Sequence, residues 1–237
     1  MHDSIRSLRE AQETAKTARK KGDALRRAGR PDEEVFKAYD VGAKTLQESL
    51  DATAPARAQL DTMQPRLAGD EADFLIETVE SCGALGGLRQ RMNQLKDALA
   101  NYTIGAALEE KFALPSTYNR LNAIKQTLLT GQLSLHETEP RIAALAGQIE
   151  AALRAKASLS DSGWAWADLG DCLALLGRTE EAARAYATFI AKAEIKSPQR
   201  TLDVLKQIAS TLQMRGDPEA VRLHAAIDAL QGRLVAR

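Results

Sequence analysis

Apolar and polar residues follow one another along this chain with the three-to-four-residue spacing of amphipathic helices. Residues three and four apart share one face of a helix, so this spacing predicts helices that bury one side. The pattern is clearest between Trp164 and about Glu194, where Gly177 separates two helical stretches. No segment has a convincing strand pattern. The sequence therefore predicts an all-α protein.

The stretches on either side of Gly177 are expected to form two antiparallel helices joined by a tight turn. Thr179 follows the turn and can accept hydrogen bonds from free amides, and the two glutamates after it favour a helix start. Gly170 and Ala182 are small where the two helices would approach closely. The larger apolar positions of this pair are Trp166, Leu169, Leu173, Tyr186 and Phe189.

Three further helix pairs repeat this order of residues. Their predicted turn residues are Gly29, Asn93 and Gly216. Asn93 stands where a glycine would otherwise supply a left-handed conformation, which asparagine tolerates better than most residues. The residues at the aromatic position of the second helix are Tyr39, Tyr102 and His224.

The spacing of the four pairs leaves room for additional helices. One helix, or two short ones, is expected between about Ala54 and Glu80, and a further pair over about 116–130 and 139–157. We therefore predict about ten to twelve helices in a single domain spanning residues 1–237. Its expected segments are a first pair at 1–51, an extra helix or helices and the second pair at 54–112, an inserted pair at 115–158, the most regular pair at 162–194 and a C-terminal pair at 197–235.

The clearest helix pair resembles the tetratricopeptide repeat. That repeat combines a large residue, a Leu-Gly pair, a turn glycine and an alanine followed by an aromatic residue, and the same order is present between Trp166 and Tyr186. The resemblance implies a tetratricopeptide-like, right-handed helical-repeat solenoid, a class of protein that commonly binds other proteins.

A second resemblance covers roughly Gly83 to Leu212. The sequence from Gly83 to Ile124 resembles the helical repeat region labelled TRAFs-binding, and so does the sequence around Trp166. That region is found in apoptosis-signal-regulating kinases and in bacterial conflict and defence proteins. Its distinctive element is Thr117-Tyr118-Asn119-x-x-Asn122. The resemblance implies a regulatory or adaptor module rather than a catalyst.

Composition narrows the classes of partner. The 32 basic residues balance 32 acidic residues, which removes the overall positive field that nucleic-acid binding usually needs. Aromatic residues make up only 4% of the chain, so few rings are available to stack on bases. A basic cluster near the amino end nevertheless keeps an RNA- or DNA-binding helical repeat as the alternative function.

The sequence carries no recognisable catalytic, metal or cofactor motif. The histidines are far apart, and Cys82 and Cys172 have no second ligand at metal spacing. We therefore expect no enzyme activity, no metal and no cofactor. Two isolated cysteines, no secretory signal and no apolar run of membrane-spanning length favour a cytoplasmic protein.

The candidate partner site is the concave groove that the first helices of tetratricopeptide pairs line. By that register Lys16, Arg19, Arg26 and Arg27 point into the groove from the first pair and Arg91 from the second. Guanidinium groups bind carboxylates with two hydrogen bonds, so such a groove fits an acidic peptide or segment of another protein. An ordinary solvated helix face is the competing interpretation of the same residues.

Two further sets of residues are candidates for partner contact. Trp164 faces the same groove by this register, or is covered by the preceding helix near Arg154. Asn119 and Asn122 could bind an extended backbone, or they could tie neighbouring helices together while Tyr118 packs. The sequence as a whole favours a protein-binding adaptor or scaffold whose partner is an effector or peptidase encoded nearby.

Overall fold

The protein is all-helical in the part of the chain that its computed structural model describes, residues 1–60, 62, 67–155, 163–192 and 199–235, with the side chains of 199–200 and 233–235 left out. These residues form eleven helices and no strand, as expected from the sequence. The helices are α1 His2–Arg27, α2 Asp32–Ala52, α3 Ala54–Leu60, α4 Asp70–Arg91, α5 Leu95–Lys111, α6 Tyr118–Leu129, α7 Leu135–Arg154, α8 Trp164–Leu175, α9 Thr179–Lys192, α10 Gln199–Met214 and α11 Glu219–Val235.

The chain divides into two compact units, Met1–Leu114 and Pro115–Arg237. Unit 1 holds α1 to α5 and unit 2 holds α6 to α11. This division falls between the segments predicted at 54–112 and 115–158. The sequence also predicts a helix boundary at Pro65 and a linker from Ser160 to Gly163, and Pro65 and most of that linker lie outside the described residues.

Four helix pairs are present at the predicted places, α1–α2 and α4–α5 in unit 1 and α8–α9 and α10–α11 in unit 2. All four predicted turn residues have a left-handed backbone, with φ values of 60° at Asn93 and 68–72° at Gly29, Gly177 and Gly216. Asn93 therefore adopts the left-handed conformation that glycine has in the other three turns. The turn predictions are confirmed.

One close contact recurs inside three of these pairs, between a glycine of the first helix and a tyrosine of the second. A Cβ atom added to any of these glycines would lie within 2.8 Å of the tyrosine ring, closer than real Cβ atoms approach their neighbours. The tyrosines are fully buried. Glycine is therefore required for the helices of each pair to approach this closely. The three contacts join Gly22 to Tyr39, Gly86 to Tyr102, and Gly170 to Tyr186.

Each buried tyrosine hydroxyl also has an acceptor on the first helix of its pair, which for Tyr102 is Gln90 Oε1 at 3.5 Å. Tyr39 donates to Asp23 Oδ1 over 2.7 Å and Tyr186 donates to Asp171 Oδ1 over 2.6 Å, so the acceptor is the residue after the glycine in both pairs. In α10–α11 the corresponding residues are a buried alanine and the half-buried His224. His224 thus packs at the aromatic position, as its place in the sequence predicts.

Unit 1 is built around α4, which packs against both α1 and α2. The region expected to hold one extra helix or two short ones contains the short α3, Ala54–Leu60, and the beginning of α4 at Asp70. The largest apolar side chains of the core include Leu8, Leu46, Leu60, Phe74 and Leu85.

Unit 2 contains the two inserted helices, α6 and α7. Residues 121–126 and 128–129 of α6 are buried, so this short helix lies inside the unit rather than on its surface. Helix α7 begins at Leu135, four residues before the expected start at Glu139, because Ser134 and Glu137 form a capping box. The Ser-x-x-Glu spacing that marks this start is present in the sequence at Ser134 and Glu137.

Candidate functional site

Helices α1 and α4 run parallel and are joined by polar contacts at a constant register. Near their beginnings Arg9 Nε donates to Glu77 Oε1 over 2.6 Å. Gln12 Nε2 donates to Glu77 Oε2 and to Ser81 Oγ, each over 3.0 Å. Each α1 residue therefore meets α4 residues 65 to 69 positions further along the chain. These contacts fix one end of the seam between the two helices.

The other end of this seam is fixed by Asp23, Arg26 and Arg91. Arg91 Nε lies 3.5 Å from Asp23 Oδ1, and Arg26 Nη2 donates to the Arg91 carbonyl over 3.0 Å. The Arg26 guanidinium also lies 5.5 Å from the centroid of the Tyr39 ring, at cation–π distance. Two of the arginines predicted to bind a partner thus hold α1, α2 and α4 together.

Between these two ends and just beyond the second, α1 presents an exposed row of cations that we call the cationic stripe: Lys16, Arg19, Lys20 and Arg27. Lys16 pairs with Glu13 of its own helix over 3.2 Å, an exposed contact of little energetic consequence. Among the described residues, Arg19, Lys20 and Arg27 form no ion pair. Helical spacing places the four side chains on one side of α1. The register of the seam sets Lys16 and Arg19 opposite Ala84 and Gly87, which are too small to cover them.

Trp164 opens helix α8 and is exposed to 62%, so it is not covered by the helix before it. Its ring is tilted against the buried Phe189, with 5.1 Å between the ring centroids. This contact fixes one edge of the indole and leaves the other in solvent. Trp166, expected to be packed, is half-buried. Trp164 belongs to unit 2, whereas the cationic stripe belongs to unit 1. Each is a surface of its own unit.

The residues of the Thr-Tyr-Asn-x-x-Asn element divide into an exposed tyrosine and buried neighbours. Tyr118 is 43% exposed, whereas Asn119 and Asn122 are buried. The Asn122 amide donates to the Tyr118 carbonyl of the same helix over 2.8 Å. Thr117 Oγ1 donates to Asp168 Oδ2 of α8 over 2.9 Å. This element therefore joins α6 to α8, and its asparagines are not displayed to a partner.

A buried ion pair that the sequence did not predict lies at the centre of unit 2. Lys125 of α6 pairs with Asp171 of α8, and the second carboxylate oxygen of Asp171 accepts the Tyr186 hydroxyl of α9 over 2.6 Å. All three side chains are buried. One carboxylate therefore ties three helices together. The partners are 46 residues apart, so only the packing of α6 on α8 reveals the pair.

The environment of this pair keeps Lys125 charged. Burial works against the charge, but the negative charges of Asp171 and Asp168 outweigh it and raise the pKa of Lys125. Burial raises the pKa of Asp171, and the ammonium of Lys125 opposes that rise. Burial also raises the pKa of Tyr186 well above its usual value, so its hydroxyl remains a donor. Lys125 is thus a fixed cation of the core rather than a free amine.

The cysteines and histidines form no metal cluster in the described part of the chain, where no group of three or more His, Cys, Asp or Glu side chains converges. Cys82 and Cys172 are free and buried. Burial raises the pKa of Cys82 to about 11 and raises the pKa of Cys172 as well. Neither thiol is activated for nucleophilic chemistry at neutral pH.

No protein-family model matches this sequence, and a search of the curated proteins finds no match either. In the described residues, no helix combines the length and the apolar character needed to cross a membrane.

Proposed function

We propose that this chain is a non-catalytic adaptor of the tetratricopeptide type that binds another protein. The observation that carries the proposal is the recurrence of one helix hairpin, with a left-handed turn residue in four pairs and the same glycine-to-tyrosine contact in three. Serial helix hairpins of this kind present rows of side chains from successive helices, which suits them to extended protein segments.

The cationic stripe of α1 is the site that we assign to the partner. Its cations are exposed, while Arg9, Gln12, Asp23 and Arg26 anchor the same helix to α4. The helix is therefore held in place before a partner arrives, which lowers the entropic cost of binding. Arg26 and Arg91 act as supports of the site rather than as contacts. An acidic segment fits this row, because its carboxylates can accept hydrogen bonds from several cations at once.

The partner that we propose is an effector or peptidase encoded near this chain, as the resemblance to the TRAFs-binding region of bacterial conflict and defence proteins implies. Two free, buried thiols are consistent with a reducing compartment such as the cytoplasm.

The experiment is photo-crosslinking in the native host from a light-activated residue placed at Lys20, within the stripe. A matched protein carries the same residue at Arg184, an exposed position of α9. We expect a protein to be captured from position 20 and not from position 184. Mass spectrometry would identify it, and an acidic segment should contain the crosslinked peptide.

Charge reversal provides the control for this experiment. The triple variant Lys16→Glu, Arg19→Glu, Arg27→Glu should abolish capture from position 20. The matched triple variant Arg141→Glu, Arg184→Glu, Lys192→Glu carries the same change in net charge on exposed residues of unit 2 and should leave capture intact. Capture of nucleic acid alone would support an RNA- or DNA-binding function instead, and capture of no species would reject the stripe as the site.

A further inference from the structure

A groove of about 710 Å³ lies between α1 and α2 on the outer side of unit 1. Its floor contains Ala18 and Ala38, with Leu25 half-buried beside them, and Val41 stands at its edge with 57% of its surface exposed. Thr17 and Lys21 line the α1 wall. They lie roughly 120–180° around the helix from Gln12 and Asp23, which face α4. The groove is thus the face of the α1–α2 pair that α4 does not cover.

The charges around this groove are matched in number and opposite in sign. Glu13 and Glu34 supply two carboxylates, and Lys21 and Lys37 supply two ammonium groups. Glu13 pairs with Lys16 of the same helix and Glu34 pairs with Arg30 of the preceding turn, and both are exposed contacts that contribute little energy. Lys21 and Lys37 form no ion pair among the described residues. A partner of one sign would meet repulsion from half of this rim.

We infer that the groove is the contact surface for a second copy of this chain, in a twofold-symmetric dimer. A twofold axis brings residue i of one copy to residue j of the other, and residue j to residue i, so the surface must complement itself. A rim with equal numbers of carboxylates and ammonium groups meets that condition. The exposed Val41 of each copy then fills the groove of the other, as ridges fill grooves between packed helices.

The size of this face is sufficient for a weak dimer. Helices α1 and α2 contain 26 and 21 residues. At about 1.5 Å per residue the pair is roughly 30–40 Å long, and two helices about 10 Å in diameter with axes about 8–10 Å apart are roughly 20 Å wide, so the pair offers a face of roughly 600 Å² per copy, or roughly 1,200 Å² in total. That total is at the lower end of specific interfaces, so a dissociation constant on the order of 10 µM is expected. This inference is independent of the proposed function.

The test is sedimentation equilibrium of the whole chain from about 1 to 200 µM. The wild-type chain should pass from monomer to dimer over this range. Val41→Glu should weaken the dimer at least about tenfold, because the dimer would bury two new charges, one from each copy. Val221→Glu is the matched control, since Val221 is 75% exposed on α11 of unit 2, and it should leave the equilibrium unchanged.

A charge-reversal pair tests self-complementarity directly. Glu13→Lys with Glu34→Lys gives a basic rim, and Lys21→Glu with Lys37→Glu gives an acidic rim. Each double variant alone should remain monomeric, whereas an equimolar mixture should form a heterodimer. Circular dichroism would confirm that both variants are folded. A wild-type chain that is monomeric at every concentration overturns the inference. So does a dimer that is insensitive to Val41→Glu, or a mixture that does not associate.

Discussion

Gly170 and Tyr186 lie so close across the α8–α9 pair that a Cβ atom on residue 170 would come within 2.6 Å of the tyrosine Cε1. The ring has no room to move aside, since Tyr186 is fully buried and its hydroxyl donates to Asp171. The glycine therefore sets the distance between the two helices, and the tyrosine fixes it in place.

Gly170→Ala should destabilise the protein, because the added methyl group meets an immobile ring. Overpacking costs roughly 1–3 kcal/mol, more than the gain of about 1 kcal/mol that alanine brings to a helix. Gly147→Ala on α7 is the matched control, since nothing lies within 4 Å of its added Cβ, and it should stabilise by about 0.5–1 kcal/mol. Urea unfolding followed by circular dichroism would measure both. Equal stabilisation by the two changes would contradict the role given to the contact.

Removing one partner of the buried ion pair should cost more stability than removing both charges. Lys125→Met leaves the carboxylate of Asp171 buried without its cation, at a cost of about 3–5 kcal/mol. Adding Asp171→Asn removes that charge and keeps an acceptor for Tyr186, so the double variant should regain part of the loss. The same unfolding experiment gives the comparison. Purely additive losses would show that Lys125 and Asp171 do not act as a pair.

Both native thiols should resist modification while the protein is folded. Cys82 and Cys172 are buried, and burial raises the pKa of each, to about 11 for Cys82, so the reactive thiolate is scarce at pH 8. Ellman's reagent should release no colour from the native protein and should titrate two thiols in guanidinium chloride. A Ser210→Cys variant, with its new thiol at an exposed position of α10, should react at once. A rapid phase in the wild-type protein would be evidence against the burial described.

The capping box of α7 should make the stability of this helix depend on pH in the acid range. The backbone amide and hydroxyl of Ser134 donate to Glu137 and lower the pKa of that carboxyl below its usual value of 4.5. The stabilisation is therefore fully present above pH 4.5 and is lost as the pH falls through the lowered value. Ser134→Ala should raise the pKa of Glu137, as followed by carboxyl carbon NMR, whereas Ser134→Thr should not. An unchanged pKa in the alanine variant would mean that the hydroxyl contributes nothing.

The helix pairs could be predicted from the sequence because each depends on residues close together in the chain. The turn at Asn93 shows this well, since a left-handed residue between two amphipathic stretches is a local signal. The start of α7 was predicted too late, at Glu139 rather than Leu135. Pro140 lies within the helix, beyond the capping box that begins it.

The candidate site was predicted less well, because it depends on which helices touch. The repeat register placed Arg19 and Arg26 on one face of α1, but it did not show that Arg26, although exposed, binds the end of α4. The same limit applies to Asn119, for which the sequence left open whether it binds a partner or ties helices together, and which is buried inside unit 2. Lys125 gave no local signal either, since its partner is in another helix pair.

The glycine-to-tyrosine contacts join residues only 16 or 17 positions apart, which bears on how the chain folds during its synthesis. A hairpin whose central contact is so local can close within microseconds, whereas the ribosome adds about 5–20 residues per second. The α1–α2 pair can therefore complete its own contact while α4 is still being translated. Its apolar face then remains uncovered for a few seconds, until α4 has been synthesised and can pack on it. In that interval the nascent α1–α2 pair exposes the surface that a chaperone would recognise.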